Sequence, residues 1–213
     1  MPDQVAGLLL AAGAGRRFGG PKALAELDGE PLVLRALRTL EAAGCAPIRV
    51  VVGAAADEVR ALLPDPALAV YAEGWEGGMG ASLRAGLAAL EPIEGPQAAL
   101  VHLVDLPWVP AEAVARVAAQ ASPDVVARAA YQGVHGHPVL FGRRWWPEIG
   151  ESAHGDRGAR DWLTGRADLR LVECGDLGSG RDVDHRADLP GRVKPYCVDR
   201  YQSDRQPRRN GCP

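Results

Sequence analysis

Aromatic side chains supply only 5% of the 213 positions in this sequence, so a packed interior has to be built mainly from Ala, Val and Leu. No run of ~18 apolar residues is present, which excludes a membrane-spanning helix. The apolar stretch at residues 5–12 is too short for a secretory signal and runs directly into a Gly/Arg loop. The four cysteines, Cys45, Cys174, Cys197 and Cys212, show no Cys-x-x-Cys spacing, so neither a zinc ribbon nor a disulfide scaffold is indicated. Cys45 and Cys174 lie beside apolar segments, read as buried free thiols, and point to a reducing cytoplasm. A net charge of −3 argues against a dedicated nucleic-acid binder. The charge is uneven: the segment from Gly191 onward carries net +4, leaving −7 over the first 190 residues.

What is present is 47% hydrophobic, enough for one α/β domain at the usual size of ~100–200 residues. Residues 5–11 form a continuous apolar run, the pattern of a strand buried on both faces. Helical spacing follows over 31–43, with Pro at the start and Gly44 after the end. Further strands are expected at 48–52, 68–72, 98–104, 125–130, 137–141 and 169–174. Helices are expected at 57–63, where Asp57 serves as the cap, and at 82–90, 110–120 and 156–163. Strands alternating with helices of this length imply βαβ units. The expected fold is α/β: a single-domain three-layer αβα sandwich with a Rossmann-like, mainly parallel sheet and a small antiparallel excursion. The domain is expected to span 1–190, followed by a basic irregular tail at 191–213.

The segment from Leu10 to Lys22, Leu-Ala-Ala-Gly-Ala-Gly-Arg-Arg-Phe-Gly-Gly-Pro-Lys, follows the first strand. Small residues let a backbone approach a polyphosphate and offer it free N–H groups. Arg17 and Lys22 add positive charge there. The same residues also make a plain Gly-rich turn with solvated cations. Lys22 is flanked by Pro21 and Ala23, which excludes a Walker loop. The dinucleotide fingerprint fails as well, because Phe18 stands where the third glycine belongs and Gly53, not an acidic residue, ends the second strand.

Asp105 closes the strand at 98–104, and ligands of open α/β sheets bind at the carboxyl ends of strands. One carboxylate together with substrate phosphates is a common Mg²⁺ arrangement, although a turn or helix-capping role is an equal reading of that residue. Leu10-Ala11-Ala12-Gly13, Arg17, Gly19 and Lys22 together resemble the signature loop of the nucleotidyltransferases that share a Rossmann-like fold, a group that includes sugar-phosphate, isoprenoid-precursor and molybdenum-cofactor enzymes. The resemblance implies that the loop, with Gly15 inside it, wraps a nucleoside triphosphate, that Arg17 and Lys22 neutralise it, and that Asp105 holds the metal. Asp182-Val183-Asp184 and the following Asp188-Leu189 resemble the late acidic segment of the same family. Asp184 is preferred over Asp182 as the second metal ligand, with His185 and Arg186 departing from the family's Thr-Pro.

Gly78-Met79-Gly80-Ala81-Ser82-Leu83-Arg84-Ala85-Gly86 resembles a stretch of molybdenum-cofactor cytidylyltransferases, and implies nucleotide contacts from Gly80 and Ser82. Gly136-His137-Pro138 and Gly155-Asp156-Arg157-Gly158-Ala159-Arg160 match the same subgroup, which puts His137, Asp156 and Arg160 on the acceptor side. Trp145 and Trp146 read as packing residues. The implied reaction is Mg²⁺-dependent transfer of CMP from CTP to a phosphorylated acceptor, the molybdenum cofactor, with a molybdoenzyme or its maturation factor as a further partner and no nucleic acid or membrane. Two alternatives stay open: a nucleotidyltransferase for another small phosphate, such as a sugar 1-phosphate or a GTP-dependent case, and a non-catalytic nucleotide- or cofactor-binding accessory protein. A dinucleotide-dependent reductase is disfavoured by the residue at position 53.

Overall fold

The structure, a computed structural model, describes residues 4–190. The basic tail expected at 191–213, with Cys197 and Cys212, lies outside the described residues.

The first strand, β1 (Val5–Leu10), is buried along its whole length, as its unbroken apolar run demands. A small antiparallel pair follows, β2 (Glu26–Leu27) and β3 (Glu30–Pro31), leading into α1 (Leu32–Ala42). The chain then runs through β4 (Ile48–Val52), α2 (Ala56–Leu62), β5 (Ala69–Tyr71), α3 (Met79–Leu90), β6 (Ala98–Leu103) and α4 (Ala111–Ala118). The second half contains β7 (Val126–Tyr131), β8 (Val134–Gly142), α5 (Trp146–Ser152), α6 (Arg160–Leu163) and β9 (Arg170–Glu173).

The main sheet has seven strands in the order β5-β4-β1-β6-β8-β7-β9. Pairing is parallel throughout except around β8, which runs antiparallel to both β6 and β7. Two apolar layers cover the faces. On one, Leu37 and Leu40 of α1, Val59 of α2 and Val114 and Val117 of α4 pack with Leu9, Val50 and Leu100 of the sheet. On the other, Leu83 and Leu87 of α3, Ile149 of α5 and Leu163 of α6 pack with Leu8, Val101 and Phe141. This is the expected three-layer sandwich, with the single strand β8 as its antiparallel excursion.

Two local expectations change, and one helix was not expected. Asp57 does not cap α2: the residue before the helix is Ala55, in the left-handed region at φ 54°, and Asp57 lies in the first turn, where its charge still favours the helix dipole. The helix expected over 156–163 is broken. A 3₁₀ turn at Gly155–Arg157 is separated from α6 by Gly158, whose φ of +54° helical residues do not adopt. Helix α5 was not visible as a periodic segment, because it is only seven residues long and begins at Trp146-Pro147.

Candidate active site

The carboxyl ends of β1, β4 and β6 lie side by side, and the chain leaves each in a loop on the same edge. After β1, the N–H of Ala11 still donates to Val51, and the carbonyl of Ala12 accepts from Ala54. From there the backbone turns on Gly15, at φ +58°. Its carbonyl accepts from the N–H groups of Gly19 and Gly20, at 2.8 and 3.1 Å, and a Cβ at this position would overlap the Gly20 carbonyl. The N–H groups of residues 13–17 have no backbone acceptor among the described residues. Consecutive free donors are the raw material of an anion-binding concavity. Phe18 anchors the loop from below, 3% exposed, with the Arg186 guanidinium over its ring at 5.1 Å.

Lys22 ends the loop and points inward, its side chain 15% exposed. Its Nζ lies 2.8 Å from Asp105 Oδ2 and 3.1 Å from Asp184 Oδ1. Arg17, largely exposed, donates to the other oxygen of Asp184 at 3.0 Å. Asp105 stands two residues beyond the end of β6. Asp184 arrives on a segment outside any helix or strand after β9, and a backbone bond sets its position: the N–H of buried Val183 donates to the carbonyl of Asp105 at 2.9 Å. The Asp188 carboxylate then accepts from the N–H groups of Asp184 and His185, at 2.9 and 2.7 Å, and fixes the turn.

The charges reinforce one another. Burial pulls the pKa of Lys22 down, but hydrogen bonds and charge from Asp105 and then Asp184 outweigh it, and the ammonium is held above its ordinary value. The Lys22 hydrogen bond, its charge and that of Arg17 hold Asp184 below the usual carboxylate range against partial desolvation. Four charges of alternating sign therefore meet at one sheet edge. Among the described residues no group of three or more His, Cys, Asp or Glu side chains is placed to hold a metal ion; the acidic side chains at this edge are Asp105 and Asp184, both within reach of Lys22.

The remaining candidates fall elsewhere. Gly80 and Ser82 lie in the first turns of α3, both buried, Gly80 directly against the backbone of Ala153 and His154. Neither makes a hydrogen bond to the Lys22 cluster. Asp156 is exposed and packs against Gly78, so the loop before α3 and the 155–158 turn form one surface. Half-buried His137 sits on β8, its carbonyl accepting from the Tyr131 hydroxyl at 2.9 Å. Burial first, then the charges of Arg128, His102 and Arg160, push its imidazole down to about 3. Two nearby residues had no sequence signal. Arg128 is a lone cation inside an apolar strand, and His102 is a lone polar residue in β6, 1% exposed, with no partner for its Nδ1 among the described residues.

Residues 7–171 match the MobA-like NTP transferase domain. The chain belongs to that family. A relative of known name, nicotine blue oxidoreductase of Paenarthrobacter nicotinovorans, is 38% identical over 191 residues, covering 84% of this chain and 92% of the relative. The crystal structure of Rv0371c from Mycobacterium tuberculosis superposes with a TM-score of 0.72 at 28% identity, covering 88% of this chain and 96% of that one. A manganese complex of the same mycobacterial protein matches at a TM-score of 0.64 and 26% identity, over 80% and 88% of the two chains. An inositol-1-phosphate CTP transferase from T. maritima shares the fold, with a TM-score of 0.67 at 16% identity over 89% and 92% of the two chains. The MobA-like domain is thus that of a nucleotidyltransferase family, and its matched region contains the loop and Asp105 but ends before Asp184. No helix among the described residues is long and apolar enough to cross a membrane.

Proposed function

We propose that this protein transfers CMP from CTP to a phosphorylated acceptor of the molybdopterin type and releases pyrophosphate. The observation that carries the reading is Lys22, held between Asp105 and Asp184 at the end of a loop with free backbone donors. In this reading the free N–H groups of residues 13–17 take the triphosphate oxygens, and Arg17 and Lys22 neutralise them. An oxygen of the acceptor phosphate attacks the α-phosphorus, the bond from that phosphorus to the bridging oxygen breaks, and pyrophosphate leaves with the electron pair. The nucleophile is already anionic, so no side chain has to remove a proton, and alignment with charge neutralisation suffices.

A hard divalent cation fits the donor set, since Asp105 and Asp184 present only carboxylate oxygens and Mg²⁺ ordinarily takes one or two carboxylates, with phosphates and water for the rest. When bound there, Mg²⁺ spreads the charge of the nucleotide phosphates and of the departing pyrophosphate. The choice of CTP follows the resemblance of Ala11-Ala12, Met79 and Ser82 to the cytidylyl subgroup. The buried free thiols Cys45 and Cys174 suit a reducing cytoplasm.

Pyrophosphate release measured with CTP against GTP, with and without molybdenum cofactor, tests the reading. Release from CTP that depends on the cofactor supports it, and no release under any pairing removes it. A second reading comes from the relative named as an oxidoreductase: a redox reaction on a small molecule. Against it, Trp75 packs on Gly53 so closely that no side chain fits at the end of β4, where a dinucleotide site usually carries its ribose-binding carboxylate. Oxidation of NADH or NADPH in the presence of a dye acceptor, with no pyrophosphate release from CTP, would decide for the redox reading.

A further inference from the structure

The late segment that brings Asp184 to the site also carries Arg186, at a position where the family resemblance expects Pro and so gives the side chain no role. Arg186 opens a short 3₁₀ turn, Arg186–Asp188. That turn is firmly seated. Buried Val183 and Leu189 anchor the chain on either side of it, and the Asp188 carboxylate accepts from the N–H groups of Asp184 and His185. From this base the half-buried Arg186 side chain reaches across to the loop after β1.

Its guanidinium lies over the Phe18 ring, 5.1 Å from the centroid, and its Nη2 donates to the Gly19 carbonyl at 3.4 Å. It also flanks both glycines of the turn. A Cβ built on Gly19 would stand 3.7 Å from Nε, and one built on Gly20 3.9 Å from Nη2. The N–H groups of Gly19 and Gly20 donate to the Gly15 carbonyl, so Gly19 is held through its N–H on one side and its carbonyl on the other. The turn at Gly15 in turn places the free N–H groups of residues 13–17.

The contacts that join the loop to the late segment differ in what they use. The Arg17–Asp184 and Lys22–Asp184 ion pairs employ the two cations that the transferase reading gives to the triphosphate. A bound polyphosphate competes with Asp184 for both. The Arg186 contacts employ neither cation and none of the free N–H groups. Their partners are an aromatic face and a peptide carbonyl, which a polyphosphate does not contest.

We propose that Arg186 is a positioning residue for the triphosphate loop: it clasps Phe18 and Gly19, so that the turn at Gly15 keeps its form when Arg17 and Lys22 are given over to the nucleotide. The proposal rests on the transferase reading for the nature of the ligand, whereas the clasp stands on the contacts of Arg186 themselves.

The test uses the full chain with Arg186→Gln, and inorganic tripolyphosphate as the probe of the loop. Without ligand, solvent exchange of the Gly19 and Gly20 amides, followed by ¹⁵N NMR, becomes about tenfold faster, the loss of a cation–π contact with its hydrogen bond. Tripolyphosphate affinity, read by calorimetry, falls by about the same factor. In pyrophosphate release KM for CTP rises with it, while kcat stays within about twofold of wild type. Arg186→Lys keeps the charge and the aliphatic stem but not the planar guanidinium. It recovers only part of either loss, and it serves where Arg186→Gln fails to fold. Wild-type exchange at Gly19 and Gly20 in both variants overturns the proposal, and so does faster exchange with unchanged tripolyphosphate affinity. Full affinity in Arg186→Lys with the loop amides still fast makes the residue a charge and not a clasp, and overturns it too. A chain that behaves as proposed toward tripolyphosphate but releases no pyrophosphate from CTP overturns the transferase reading and leaves the clasp in place.

Discussion

Lys22 and Asp184 are 162 positions apart in the chain, yet the lysine ammonium lies 3.1 Å from the aspartate carboxylate. The contact is supported by main chain: the Val183 N–H bonds to the carbonyl of Asp105 and lays the late segment against the end of β6. Removing either carboxylate should therefore spare the fold and damage the chemistry. Asp105→Ala and Asp184→Ala are each expected to lower kcat for pyrophosphate release by roughly 10²-fold or more, the scale of losing one preorganised electrostatic group, with melting temperatures close to wild type. Wild-type turnover in the Asp105 variant would take that residue out of the mechanism.

Lys22→Ala leaves two carboxylates facing each other without their shared cation. A drop in kcat on the order of 10²-fold is expected, together with weaker CTP binding. Steady-state kinetics on both parameters would return the loop to a structural turn if neither changed.

Chelation of divalent cations should stop pyrophosphate release, and Mg²⁺ should restore it in the wild-type protein. In the Asp105→Ala, Asp184→Ala double variant, added Mg²⁺ should restore nothing, because the donor set is gone. Full activity in the presence of chelator would end the metal-dependent scheme.

Stability should depend on pH through His102. Burial holds its pKa at about 4 in the folded chain, against ~6.5 in an unfolded one. Between those values the unfolded chain takes up a proton that the folded chain refuses, so the stability present above pH ~6.5 declines as pH falls and levels off near 4. The full span is roughly 3 kcal/mol. His137, pushed to about 3, adds loss of the same sign over a slightly longer range. Denaturant melts of wild type and His102→Leu between pH 7 and 4 should show a shallower decline in the variant. Parallel curves would place the acid sensitivity elsewhere.

Gly15→Ala should strain the loop without touching any charged group. An L-residue in the left-handed region costs ~1–2 kcal/mol, and the added methyl meets the Gly20 carbonyl. CTP affinity is expected to fall on the order of tenfold. Unaltered affinity would mean that the turn at Gly15 does not shape the nucleotide site.

The parts of this molecule that were legible in its sequence are those written locally. Val5–Leu10 announces a buried strand by its composition, and Leu37 and Leu40 announce the inner face of α1 by their spacing. The loop and Asp105 were legible because chemistry and position coincide at strand ends. What stayed hidden depends on neighbours remote in sequence. Asp184 was nameable only through a resemblance, since its place is set by the Asp105 carbonyl. Arg128 carried no signal because an arginine in a strand reads as a solvated edge residue until the partner strand, whose Gly136 carbonyl takes its guanidinium, is laid beside it. The break at Gly158 follows from packing: this residue meets Met79 of the helix across the way, and no local pattern encodes that contact.

The bond between Val183 and Asp105 has a consequence for the order in which the protein is made. Chains are synthesised from the N-terminus, and early segments can fold before later ones exist. The loop at 11–22 and the strand bearing Asp105 are complete long before residues 183 and 184 have been added. A nascent or truncated chain therefore displays a loop whose lysine has one carboxylate neighbour instead of two. Competence arrives with one of the last described stretches of polypeptide, so the finished site also reports that nearly the whole sheet has been assembled beneath it.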